Sequence, residues 1–110
     1  MTAPFDARLD VLDARPTVTL RGAFDVDAVA RFDEVMADAR ACPGDVVLDL
    51  SAVTDATVEG VEAMVGAATR LTSRRRRLVV VGRPGLLRHL LALGVGDVVR
   101  VRGPYAGPSA

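Results

Sequence analysis

The sequence predicts an α/β fold: a single small domain with a mixed, mostly parallel β-sheet and helices in the order β-β-α-β-α-β-α-β. Three observations carry this. Two short, almost unbroken apolar runs, residues 46–50 and 78–81, have the β-branched composition of strands covered on both faces. Each is followed by a segment whose apolar residues fall three or four apart, the period of a helix face. Near the N-terminus Phe5, Ala7, Leu9 and Val11 alternate with Asp6, Arg8 and Asp10, the pattern of a half-exposed strand.

The elements follow in order. Asp13-Ala14-Arg15-Pro16 is polar and ends in proline, which suits a turn, and Thr17 to Arg21 alternates again, so the two strands read as an antiparallel hairpin. Gly22 is expected to break the second strand. Asp25 or Asp27 can cap the next helix, because a carboxylate there accepts a free backbone N–H and complements the positive end of the helix dipole. Val29, Phe32, Val35, Met36 and Ala39 make its apolar stripe, and Pro43-Gly44 stops it. After the strand at 46–50, residues 51–57 read as a polar loop leading into a helix whose buried face is Val58, Val61, Met64, Val65, Ala68 and Leu71. A loop leaving a buried parallel strand and entering a helix is a favoured place for a site on an α/β sheet. Leu78 to Val81 is the next strand, closed by Gly82. Pro84 suits the first turn of a helix carrying Leu86, Leu87, Leu90, Leu91 and Leu93, and Gly94 suits its C-terminal stop. Residues 98–101 give a last strand. The domain is therefore expected to span residues 1–102, with 103–110 a tail of Gly, Pro and small residues.

At 110 residues, half of them hydrophobic but only 4% aromatic, the core must be built from Val, Leu and Ala. Fourteen basic and 14 acidic residues cancel, so nothing attracts nucleic acid or an anionic membrane in general. No apolar segment approaches the ~20 residues of a membrane span, and residues 1–4 lack the features of a signal peptide; a cytoplasmic location is expected. The single cysteine, Cys42, leaves no partner for an intramolecular disulfide and reads as a small apolar filler. His89 is the one histidine, and no Ser, Cys or carboxylate stands at a spacing that would make it part of a triad. Gly82-Arg83-Pro84-Gly85 falls short of a dinucleotide fingerprint. No enzyme, metal or cofactor is expected. The run Arg74-Arg75-Arg76-Arg77 reads as a solvated loop whose cations favour the negative end of the preceding helix, ahead of a site for RNA or phosphate.

At the junction, Thr57 can be the N-cap of the second long helix, with Glu59 in its first turn where a negative charge is favoured. Gly60 is the anomaly. Glycine there costs roughly 1 kcal/mol relative to alanine, so it suggests close approach of another backbone or a partner.

Together these features resemble the STAS domain, the module of sulfate transporters and anti-sigma factor antagonists. Leu20-Arg21-Gly22-Ala23-Phe24-Asp25 looks like the family's strand-end pattern, with Ala23 where an acid is usual. Val47-Leu48-Asp49-Leu50-Ser51-Ala52-Val53 looks like its core strand and following turn, and Leu78-Val79-Val80-Val81-Gly82 and Leu90-Leu91-Ala92-Leu93-Gly94-Val95 like its later strand and helix. In the antagonist branch a Ser or Thr just before the helix-opening Gly, within Asp-Ser-Ser-Gly, is phosphorylated by the partner anti-sigma factor, a histidine-kinase-like ATPase acting as a serine kinase. Laid on this sequence that motif falls on Thr57-Val58-Glu59-Gly60, so the phosphoacceptor position is Glu59, which has no hydroxyl.

The resemblance implies a protein-binding surface that includes Asp25, Asp55, Thr57, Glu59 and Gly60, an anti-sigma factor kinase as partner, and a role in transcription regulation. Either Glu59 then acts as a permanent phosphomimic, since phosphoserine there would itself place negative charge at a helix start, or the domain stands outside the phosphorylation cycle. Thr57 is the alternative acceptor, and a plain helix-capping acid with a different binding face in use is the remaining reading. A second class is a scaffold or accessory STAS subunit of a transporter or signalling complex, and a third is a nucleotide-binding switch. Many relatives add a final helix that residues 103–110 are too short to form, which would open a further partner face or the seam of a homodimer.

Overall fold

A computed structural model of the chain describes residues 4–94 and 100–102. Its elements are β1 (Asp6–Leu12), β2 (Arg15–Phe24), a single 3-10 turn (Val26–Ala28), α1 (Val29–Arg40), β3 (Val46–Ala56), α2 (Val58–Thr72), β4 (Leu78–Val81), α3 (Pro84–Ala92) and β5 (Arg100–Arg102). The five strands lie side by side in chain order. β1 is antiparallel to β2, and β2, β3, β4 and β5 are mutually parallel, so β3 is the middle strand. This is the expected α/β class with its mixed sheet. The final strand is described over Arg100–Arg102; Val98 and Val99, read as its start, and residues 103–110, read as a tail, lie outside the described residues.

Because right-handed crossovers join neighbouring parallel strands in one direction, α1, α2 and α3 fall on one face of the sheet. Val18, Leu48 and Val80 pair across three strands and point to that face, each fully buried. They meet Phe32, Val35, Met36 and Ala39 of α1, and Met64, Ala67, Ala68 and Leu71 of α2, in one core. Val29, expected in the α1 stripe, is only half-buried. The opposite sheet face carries Thr17, Thr19, Val47 and Asp49, all half-buried. The central strand β3 is thus covered fully on one side only, whereas in β4 Val79 is buried on the opposite face as well, as its apolar run suggests.

The N-terminal hairpin is tighter than its sequence indicates. Its loop is Asp13 and Ala14 alone, both with positive φ (53° and 62°), which matches the right-handed twist of the flanking strands. Pro16 is therefore inside β2, paired with Val11. Its missing N–H is tolerated because the ladder to β3 opens one residue later, at Thr17 opposite Val47.

Two further expectations are corrected at the junction. Gly22 does not end β2: it takes a φ of 86° within the strand, between register shifts, and pairing with β3 continues to Phe24 opposite Ala56. Residues 51–56 are likewise not loop but the second half of β3. Their burial changes from every second residue to every third, at Leu50, Val53 and Ala56. Bulges of this kind re-aim side chains and bend a strand, and they let a polar Ser-Thr-Asp segment stay paired.

The α3 helix keeps Pro84 in its first turn and stops at Gly94 with a φ of 88°. Of the leucines it carries, Leu87 and Leu90 are buried, while Leu91 and Leu93 are about half exposed.

Candidate functional site

The candidate residues gather where β2 and β3 end together. The final register pairs are Ala23 with Asp55 and Phe24 with Ala56. Asp25 follows the first strand directly and Thr57 the second, so both chains leave the sheet side by side. Phe24 locks the joint. Its carbonyl oxygen accepts the Thr57 N–H at 3.1 Å, its ring lies 4.9 Å from that of Phe32 and 5.8 Å from that of Phe5, and it is buried.

Gly60 explains itself here. A Cβ on it would collide with the Phe24 carbonyl oxygen and stand 3.0 Å from the Phe24 ring at Cγ. The approach of another backbone, inferred from the cost of glycine in a helix start, is the strand-end carbonyl of β2. Gly60 is buried, so it shapes the site by letting α2 settle on β2 and offers no surface of its own.

Asp25 acts as the cap expected of it, its carboxylate accepting the Asp27 N–H at 3.1 Å over the 3-10 turn that leads into α1. Thr57 does not. It occupies the N-cap place of α2 with extended backbone, but its hydroxyl makes no capping bond, and Oγ1 is buried without a hydrogen-bond partner among the described residues. Asp55 and Glu59 are both exposed, Glu59 in the first turn of α2.

Two residues escaped the sequence reading. Val26 is 62% exposed and Val58 60%. Val26 opens the 3-10 turn beside Asp25, and Val58 opens α2 beside Glu59, the two elements packing against each other. Val58 was expected in the buried stripe, but at the first turn of α2 the helix has only begun to cross the sheet, and burial starts at Gly60 and Val61. The one available signal was the setting of Val26 between Asp25 and Asp27, an apolar residue where the chain turns outward. The surface thus carries two bare valines at the starts of adjacent elements, with Asp25, Asp27, Asp55, Glu59 and Glu62 near them along the chain, all but the half-buried Asp25 exposed. An apolar centre with a charged rim is the anatomy of a protein-binding patch. At its border the Arg83 guanidinium donates to the Val53 carbonyl at 2.5 Å, tying the start of α3 to β3.

The arginine run sits at the other end of the sheet. Arg76 is half-buried and caps a different helix from the one expected: its guanidinium donates to the carbonyls of Arg40 at 2.9 Å, Gly44 at 2.6 Å and Cys42, gathering the C-terminal end of α1 and its exit loop. Arg74, Arg75 and Arg77 are exposed. His89 is exposed and Cys42 half-buried. Among the described residues no group of three or more His, Cys, Asp or Glu could hold a metal ion, and no helix is long and apolar enough to cross a membrane.

Comparison with known proteins places this geometry. The family model described as Mlab, STAS domain matches residues 7–100. A crystal structure of an anti-sigma factor antagonist from Mycobacterium paratuberculosis superposes with a TM-score of 0.82 at 20% identity, covering 99% of this chain and 95% of that one. The anti-sigma factor antagonist SpoIIAA in its unphosphorylated form gives 0.74 at 14% identity over 94% and 92% of the two chains. The phosphorylated form of the Bacillus SpoIIAA gives 0.65 at 15% identity over 96% and 97%. Comparison with curated protein sequences finds no match. From a family match over most of its length, and a fold shared with anti-sigma factor antagonists, the chain belongs to the STAS domain family.

Proposed function

We propose that the chain is a non-catalytic protein-interaction module of the anti-sigma factor antagonist type, binding an anti-sigma factor kinase through the end of the sheet where β2 and β3 finish. The observation that carries this is the exposed Glu59 in the first turn of α2, beside the bare apolar pair Val26 and Val58. A carboxylate there holds one negative charge at the helix start permanently, in the manner of a phosphorylated hydroxyl. The burial of Thr57 Oγ1 favours Glu59 over Thr57 as the functional position, since a kinase must reach the oxygen it modifies. The acidic rim calls for a partner with basic residues around an apolar contact.

Incubation with the cognate kinase and ATP, read by mass spectrometry and by pull-down, tests the proposal. The wild-type chain is expected to take no phosphate, while Glu59→Ser gains both phosphate and tighter kinase binding. Phosphate on Thr57 of the wild type, or a Glu59→Ala variant with unchanged interactions, would dispose of the mimic.

The Mlab description of the family model favours one second reading, an accessory STAS subunit of a transporter or signalling complex. It predicts co-purification with a permease and ATPase instead of a kinase, through the same patch.

A further inference from the structure

We infer that the chain pairs with a second copy of itself along β1, strand against antiparallel strand, about a two-fold axis at Leu9. β1 is the outermost strand. With only Asp13 and Ala14 in the hairpin loop, Leu12 and Arg15 form the closing hydrogen-bonded pair, so Asp10, Arg8 and Asp6 turn their backbone groups toward β2. Ala7, Leu9 and Val11 turn theirs to the free edge. The Arg31 guanidinium agrees with this parity: it donates to the Ala7 carbonyl at 3.3 Å, and among the described residues no other bond reaches that edge.

The edge is complementary to itself. An antiparallel copy centred on Leu9 sets Leu9 against Leu9 and Ala7 against Val11, all with outward-facing N–H and C=O groups. On the other sheet face it sets Arg8 against Asp10 twice, in the closely spaced pairs where side chains interact most strongly. Val11, 57% exposed as a monomer, comes to lie beside the second copy's Ala7.

The helix above the edge matches. A groove of about 280 Å³ runs between β1 and α1, lined by Ala7, Leu9, Arg31, Val35 and Asp38 among others. Arg31 stands level with Ala7, and α1 runs in the same direction as β1. Four residues of helix rise ~6 Å and two of strand ~6.6 Å, so Val35 stands level with Leu9 and the axis. The two-fold then brings Arg31 of each copy toward Asp38 of the other. Centring instead on Ala7 would force the two Arg31 guanidiniums together. Among the described residues Arg31's charge partner is Glu34, at 3.7 Å with both side chains mostly exposed, so it can turn to Asp38 at little cost. The seam follows the side of the sheet and leaves Glu59 and its surroundings open.

Sedimentation velocity from micromolar to millimolar protein at low salt tests this, with circular dichroism as the check on folding. The wild type is expected to pass from the 11.6 kDa chain to a particle of twice that mass. Arg8→Asp and Asp10→Arg each place like charges across the axis twice, and each is expected to weaken association about tenfold or more. The double variant Arg8→Asp/Asp10→Arg restores opposite charges and is expected to return to within about threefold of wild type. Amide exchange at Leu9 and Val11 should slow as the dimer forms. A wild type that stays monomeric, in which Arg31 merely guards the edge, would overturn the proposal. So would a dimer indifferent to the single changes, or a double variant no better than either single one.

Discussion

Gly60 is where helix propensity and packing pull in opposite directions. An alanine there should gain roughly 1 kcal/mol from the helix alone. Its Cβ, however, would overlap the Phe24 carbonyl oxygen, a backbone atom held by the Thr57 N–H and by the pairing of β2 with β3. Strand and helix would have to part. Gly60→Ala is therefore expected to lower stability by about 1–3 kcal/mol, net of the propensity gain, read from the midpoint of urea unfolding. Gly66 provides the control: only the mobile end of Arg70, 3.9 Å away, lies near its hypothetical Cβ, so Gly66→Ala should be neutral or stabilising. The glycine's cost in the helix was plain from sequence, but the atom that requires it was not, since Phe24 stands 36 positions away.

The exit of α1 shows the same long reach between elements. Helix ends leave carbonyls without intrahelical donors, and here one side chain from the α2–β4 connection donates to that of Arg40, the last residue of α1, and to those of Cys42 and Gly44 in the loop beyond. Arg76 suits the task because its planar guanidinium presents several N–H groups in fixed directions, which a lysine ammonium does not. Arg77 adds a backbone link, its N–H donating to the Asp45 carboxylate at 2.9 Å. Arg76→Ala is expected to cost about 2 kcal/mol, as charged hydrogen bonds to partly buried carbonyls are lost, whereas Arg74→Ala should stay within about 0.5 kcal/mol. Thermal unfolding of both variants checks the contrast. Sequence placed all four arginines in one solvated loop because adjacent like residues have no intrinsic difference. The distinction arises only from which of them α1 happens to end beside.

Across the whole molecule, a formal charge of zero conceals a division. Asp25, Asp27, Asp55, Glu59 and Glu62 stand at the end of the sheet where the parallel strands finish, and Arg40, Arg70, Arg74, Arg75 and Arg77 at the end where they begin. Among the described residues the chain thus presents a mainly acidic pole around its candidate partner surface and a mainly basic pole opposite, with Arg83 at the first and Asp45 at the second as exceptions. Capture of a basic partner at the acidic pole is expected to be steered. Its association rate should fall several-fold between low and physiological salt, as screening shortens to about 8 Å, while the dissociation rate changes less. Stopped-flow or surface-plasmon measurements across a salt series read this directly; an association rate insensitive to salt would mean that the acidic rim plays no part.

Much of this architecture is written in local patterns. Period-two and period-three-to-four spacing, the Pro84 and Gly94 punctuation and the glycine at 60 mark strands, helices and one tight contact, because they reflect what a short stretch of backbone can do alone. The family followed from their order. What local pattern could not supply was anything set by a neighbour far along the chain. Residues 51–56 read as loop from their Ser, Thr and Asp, yet they pair because β2 lies alongside and bulges to keep register. Val58 has helical spacing with Val61 but stays bare, while Gly60, two residues on, is the residue of that turn that meets β2. The Thr57 hydroxyl, a good cap by type, is enclosed without a partner. Spacing reports which side of an element is apolar; only the packed sheet determines how far along that element there is anything to cover it.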